Sequence, residues 1–269
     1  GLGLGLSLAE RFSENRRIPR DDLYNLALIS LISGVAGARL FYALQHWAAF
    51  AGSPLSLLSL DPALLDPLAG LATGLLAGLA FLQRKGLPFW SALDALTPAF
   101  AVVQIALHLA HLASGAAFGA PSSLPWAIEL WGAERHPTQI YAALLAVGIL
   151  MLLWPGRAAV RRAAPGVSFL AFLAFSALAA IFVEAFRGDS RLLPGGLRTV
   201  QVAAWGLLAL SLWGVGRLHA RPGELRPVAM PGRLAGTQRG WWSRGPKGRR
   251  GRVLRGVAVL VSRLRTLRT

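Results

Sequence analysis

Residues 23–50 read LYNLALISLISGVAGARLFYALQHWAAF, and Arg39 is the one Lys, Arg, Asp or Glu among them. At ~1.5 Å per residue a helix of this length exceeds the ~30 Å of hydrocarbon in a bilayer. A run so long and so apolar reads as a membrane-spanning helix, and its buried guanidinium poses the first question about a site.

Comparable runs recur outward from it at 62–83, 90–118, 137–154, 167–186 and 197–215, with Pro, Gly or clustered charge between them. Residues 1–9, GLGLGLSLA, are too short to span and lack the basic start of a signal peptide, so they read as the end of a helix. The expected fold is all-α: a polytopic membrane helical bundle over 1–216, with six complete transmembrane helices plus the remnant of a first one. A basic cytoplasmic tail is expected over 217–269. Composition agrees, because the chain is 54% hydrophobic and only 15% charged, whereas a soluble domain carries about 25% charge. With no Cys, a disulfide framework, a cysteine zinc site and a protein thiol nucleophile are excluded. Gly70, Gly74 and Gly78 recur at the spacing that lets membrane helices approach closely.

Basic residues set the orientation. If the segment holding Arg11, Arg16, Arg17 and Arg20 is inside, inner segments carry twenty-three Lys or Arg and outer ones four: Arg135, Arg187, Arg191 and Arg198. The outer loops are then 51–61, 119–136 and 187–198. The net charge of +16 does not imply nucleic acid, because thirteen of those charges lie from Arg217 onward. A polybasic segment beside a transmembrane helix adheres to an anionic membrane surface at about 1 kcal/mol per charge. Leu254, Val257, Val261 and Leu264 share a helical face that suits an interfacial helix over 253–268, with a solvated extension as the alternative.

Ionisable groups within a bilayer are costly unless paired or wet, so each is a site candidate. Gln104, His108 and His111 share one face of the third span and should point into the bundle. His108, His111 and His136 are enough imidazoles for a catalytic zinc, but no HExxH pairing or acidic ligand accompanies them, so no metal or other cofactor is expected. Arg39 calls for a phosphate, or else for carbonyls or Glu184. Glu184 and Arg187 sit at i, i+3 and can pair; Asp94, near the inner edge, reads as structural. His136 opens the fourth span in HPTQIY, with Gln139 and Tyr141 facing the same outer mouth, and is the best general-base candidate.

His136–Tyr141, the GARLFY of residues 37–42, the PFW of 88–90 with Asp94 and Pro98, and the FVEAFRGD of 182–189 together resemble the prolipoprotein diacylglyceryl transferase family. That resemblance implies an enzyme of the bacterial cytoplasmic (inner) membrane, its C-terminus cytoplasmic. It would move the diacylglyceryl group of phosphatidylglycerol to the cysteine thiol of a prolipoprotein lipobox segment. It further implies His136 and His108 as catalytic, and Arg39, Gln139, Tyr141, Glu184, Arg187 and His111 as substrate-binding. Residues 107–116 read LHLAHLASGA where the family carries G-R-x-G-N-x-x-N-G-E, so His108 stands at the Arg. A non-catalytic relative that binds phospholipid or lipoprotein precursor, and a polytopic transporter, stay open as alternatives.

Overall fold

The computed structural model describes residues 2–16, 18–52, 61 and 64–219. The expected interfacial helix over 253–268 lies outside these residues, as does all of the tail beyond His219. Helices dominate: α1 Leu2–Arg16, α2 Arg20–Gln45, α3 Trp47–Ala51, α4 Pro67–Lys85, α5 Phe89–Ser114, α6 Thr138–Leu152, α7 Ala158–Arg162, α8 Val167–Glu184 and α9 Thr199–His219. Among the described residues, α2, α5, α8 and α9 are long and apolar enough to cross a membrane, while α6 is apolar but shorter.

The apolar surface of these helices is not consumed by the protein itself. Only 11% of the most apolar window of α9, and 22% of that of α2, is buried inside the chain. Leu, Val and Trp side chains such as Trp205 and Trp213 therefore face outward, as they can where the surrounding solvent is lipid. Packing runs through close pairs: α1 along α5, α2 along α4, α8 along α9, with α5 against α6 and α8. The glycine spacing is used as expected. A Cβ on Gly34 would meet the Gly70 carbonyl at 3.1 Å and one on Gly74 the Ser30 carbonyl at 2.8 Å, so α2 and α4 pack backbone to backbone.

Two features depart from the expected organisation. The first helix runs on through Arg16 rather than ending near residue 9. The loop 119–136, expected to be an outer one, contains a small antiparallel hairpin, β1 Ile128–Leu130 with β2 Ala133–Arg135. Its two-residue turn places Trp131 at φ 55° and Gly132 at φ 72°. Both residues are left-handed, the turn that matches strand twist. The hairpin was hard to foresee because Trp is not a residue that favours positive φ.

One end of the bundle is tied together by a buried ion pair. Arg16, at the end of α1, meets Asp94 of α5 at 3.0 Å with both side chains buried. Asp94 also accepts from the backbone N–H groups of Gly166 at 2.8 Å and Phe169 at 2.9 Å, at the start of α8. Arg16 donates onward to the carbonyl of Ala163 at 2.9 Å. A carboxylate at a helix N-terminus answers both the unpaired N–H groups and the helix dipole, so Asp94 ties three helices together as the structural member it was expected to be.

Candidate functional site

At the other end of the α5/α8 seam the helices separate around a cavity of ≈ 210 Å³. Gln104 and His108 line it from α5, Ser176 and Glu184 from α8, and Arg187 from the turn that follows. Gln104 accepts a hydrogen bond from Ser176 at 3.1 Å, leaving its amide N–H groups as donors. Glu184 is 1% exposed. Its Oε1 is buried with no hydrogen-bond partner, and Arg187 Nε lies 3.6 Å from Oε2. Arg187 spends Nε and Nη2 on Asp189, at 2.9 Å each. That hydrogen bonding raises the Arg187 pKa above its ordinary value; burial opposes it, and the charges of Asp189 and Glu184 add to it.

The turn from Glu184 to Ser190 is held by a residue the sequence did not single out. One terminal nitrogen of Arg198 donates to the carbonyls of Glu184 and Arg187 and to the Ser190 hydroxyl. A guanidinium there satisfies carbonyls left over at the C-terminal end of α8. Arg198 carried only a positive charge between two apolar runs as its signal, and its partners are mostly backbone atoms.

The segment after α5 supplies the other wall of this scaffold. Gln139 donates to the Ala116 carbonyl at 2.8 Å and Thr138 to that of Ala117 at 2.7 Å, pinning a left-handed Ala117 (φ 55°) to the first turn of α6. Residues 118–121 then thread between two strands of backbone. Ala120 N–H donates to Phe186, Gly188 N–H to Phe118, and His136 N–H to Ala120, at 2.8, 2.9 and 3.1 Å. At Gly119 a Cβ would collide with the His136 carbonyl, so this crossing admits no side chain.

The expected site residues divide among three places. His108, Glu184 and Arg187 meet at the cavity. His136 instead packs its ring 5.2 Å from Phe186 and 6.3 Å from Tyr141, with Nδ1 buried and without a partner. Tyr141 accepts from Trp126 Nε1 at 2.8 Å, and Gln139 keeps a buried Oε1 without a partner. Arg39 of α2 is 9% exposed and donates to the carbonyls of Asp61 at 3.0 Å and Leu64 at 3.5 Å. His111 stacks edge-on to His108 at 6.3 Å. Among the described residues no three His, Asp or Glu come together to hold a metal, so His108, His111 and His136 do not assemble the zinc set their number allowed.

Such a cavity can hold an anion against Arg187 and Gln104, offer an imidazole to a proton and present an unsatisfied carboxylate oxygen. Comparison with known proteins gives this chemistry a setting. A protein from Nostoc sp. named phosphatidylglycerol–prolipoprotein diacylglyceryl transferase is 28% identical over 239 residues, 84% of each chain. Relatives of the same name are 29% identical in Synechococcus elongatus, over 84% of each chain, and 29% identical in Bacillus cereus, over 79% of this chain and 82% of the relative. The profile described as prolipoprotein diacylglyceryl transferase matches residues 1–216. The chain therefore belongs to the prolipoprotein diacylglyceryl transferase family.

Proposed function

We propose that this protein transfers the diacylglyceryl group of phosphatidylglycerol to the cysteine thiol of a prolipoprotein, a step of lipoprotein biosynthesis. The family match over residues 1–216 carries the reading. In the reaction the substrate sulfur forms a bond to the glycerol carbon that bears the phosphate. The carbon–oxygen bond breaks, its electron pair stays with the phosphate, and glycerol phosphate leaves. The thiol proton passes to an imidazole and from there to solvent or the departing phosphate.

Roles follow from position and chemistry. His108 is the imidazole on the cavity wall and accepts the thiol proton. His136, packed against Phe186 with ring centroids 5.2 Å apart, acts with it by fixing the turn that carries Arg187. Arg187 Nη1, outside the two Asp189 bonds, takes a phosphate oxygen, and Gln104 donates a second hydrogen bond. Gln139 and Tyr141 hold the outer mouth, His111 supports His108, and Arg39 attracts the lipid phosphate from the α2 side.

The same reading gives six complete transmembrane spans with α1 beside them, in the bacterial inner membrane. The basic segment 217–269 is cytoplasmic and adheres to the anionic leaflet; its support is the basic-residue count on the two sides of the membrane. A second reading, binding of lipid or lipoprotein precursor without turnover, is favoured by one observation. The 107–116 stretch lacks the guanidinium of the family pattern, and Arg187 is already engaged by Asp189.

The deciding experiment places the purified protein in liposomes with phosphatidylglycerol and a lipobox-cysteine peptide. Mass spectrometry should find a peptide gaining a diacylglyceryl group as glycerol phosphate is released. Folded, lipid-binding protein that yields no thioether would end the transfer reading in favour of the second.

A further inference from the structure

Helices α8 and α9 are each long and apolar enough to cross a membrane, and they pack along one another. The segment that joins them, residues 185–198, therefore lies at a membrane surface. It is longer than the roughly 2–8 residues that usually join packed helices. Its first part forms the turn that carries Arg187. Its second part, residues 191–198, folds back on itself as a finger whose side chains take no part in the cavity.

The finger is closed by its own backbone. Leu193 N–H donates to the Leu197 carbonyl at 2.8 Å, Gly196 N–H to the Leu193 carbonyl at 3.0 Å, and Thr199 N–H to the Arg191 carbonyl at 3.0 Å. Leu192 and Arg198 face each other in an antiparallel bridge. Gly195 and Gly196 are left-handed, at φ 94° and 80°, a conformation glycine adopts without strain. So tight a turn holds its flanking side chains in place, and those are apolar. Leu192 is 65% exposed, Leu197 57% and Leu193 39%, although each would gain by leaving water.

Two observations say what covers these leucines. Their surface continues into α9, where Val200, Val202 and Trp205 are exposed in turn and lipid is the surrounding solvent. Beside Leu192, Arg191 is exposed and makes no ion pair among the described residues. Asp189, the nearest acid along the chain, gives both oxygens to Arg187. An apolar tip with an uncompensated cation suits the boundary of an anionic leaflet, whereas an apolar peptide would leave the guanidinium without a partner.

We infer that residues 191–198 are a membrane-docking finger. Leu192, Leu193 and Leu197 enter the acyl boundary of the leaflet beside α9, and Arg191 meets the phosphates of anionic lipids. Arg198, opposite Leu192, donates to the carbonyls of Glu184 and Arg187, so what holds the finger also holds the turn that carries Arg187. The inference needs the membrane setting alone and stands whether or not the protein transfers lipid.

The chain has no Cys, so a single cysteine can be introduced and labelled. Full-length protein bearing a nitroxide at Leu192→Cys or Leu197→Cys is placed in phosphatidylcholine vesicles with and without phosphatidylglycerol. Power-saturation electron paramagnetic resonance then compares relaxation by oxygen, which concentrates in lipid, with relaxation by a water-soluble nickel chelate. Trp205→Cys on α9 and Glu129→Cys in the β1–β2 hairpin, both at exposed positions, give the lipid and water references. Oxygen preference at 192 and 197 should fall between the two references, several-fold above that at 129. Phosphatidylglycerol should raise it, by up to about fivefold in docked population for one cation at an anionic leaflet, and Arg191→Gln should remove that increment.

Chelate access at 192 and 197 equal to that at 129 would overturn the inference. So would protection that appears only with added lipobox peptide, or protection that grows with the protein-to-lipid ratio; these would give the leucines to a peptide or to a second copy. Protection unchanged by phosphatidylglycerol would overturn the assignment to anionic lipid. Neither labelled position is a glycine of the turn, and Leu193→Cys replaces whichever of the two does not fold.

Discussion

Asp94 and Glu184 are both carboxylates buried on the α5/α8 seam, roughly 20 Å apart along α8 at 1.5 Å per residue. Asp94 has an ion pair and two backbone N–H groups within 3.0 Å. Glu184 has an Arg at 3.6 Å and one oxygen with no partner, beside a cavity. Burial alone therefore does not tell the two carboxylates apart; hydrogen-bond satisfaction does. A carboxylate whose acceptors are all used holds the fold, and one left short carries an unmet demand for a donor.

The sharpest break of this contrast is Asp94→Ala. It leaves Arg16 buried without its counter-ion and two N–H groups at the start of α8 unpaired, a loss of about 3–5 kcal/mol for a broken buried pair. The expected result is little folded protein after solubilisation, read by fluorescence-detected gel filtration. Recovery of wild-type thermal stability would contradict the structural role.

Glu184→Gln should do the opposite. Stability should move by less than about 1 kcal/mol, since the ion pair lost is loose, while transfer from phosphatidylglycerol falls at least about tenfold. A large drop in melting temperature with normal turnover would reverse the two ends. Arg198→Ala tests what lies between them: the turn carrying Arg187 loses its tether, so turnover should fall several-fold, with partial rescue in Arg198→Lys. Equal rates in all three forms would mean the turn holds itself.

The smallest effect is expected at Trp126→Phe, which loses the bond to the Tyr141 hydroxyl at 2.8 Å but keeps most of the apolar area. Melting should fall by no more than about 1 kcal/mol equivalent, with the α5/α8 anchor unaffected. A change in donor-lipid preference here would draw Tyr141 into the donor-lipid site.

Legibility in the sequence followed the range of the forces involved. The apolar runs of α2, α5, α8 and α9, the glycine spacing of α4 and the i, i+3 pair of Glu184 with Arg187 are written in local periodicity, and each appears in the structure. Asp94 could be assigned to structure from its depth, though Arg16, 78 positions earlier, carried no mark as its partner. Arg198 and the Trp131–Gly132 turn escaped because their partners are backbone atoms, which every residue possesses and no sequence pattern advertises.

By itself the sequence determined the solvent of this protein and its family, since hydropathy over spans of about 20 residues and ordered motifs survive without any knowledge of contacts. Only tertiary structure decided how the candidate residues sort: His108 onto the cavity, His136 onto Phe186, Arg39 onto loop carbonyls. The physical reason is that hydrogen-bond satisfaction is a sum over neighbours brought together from distant positions. Residue identity supplies the donors and acceptors, and folding alone determines which of them, such as Glu184 Oε1, is left without a partner.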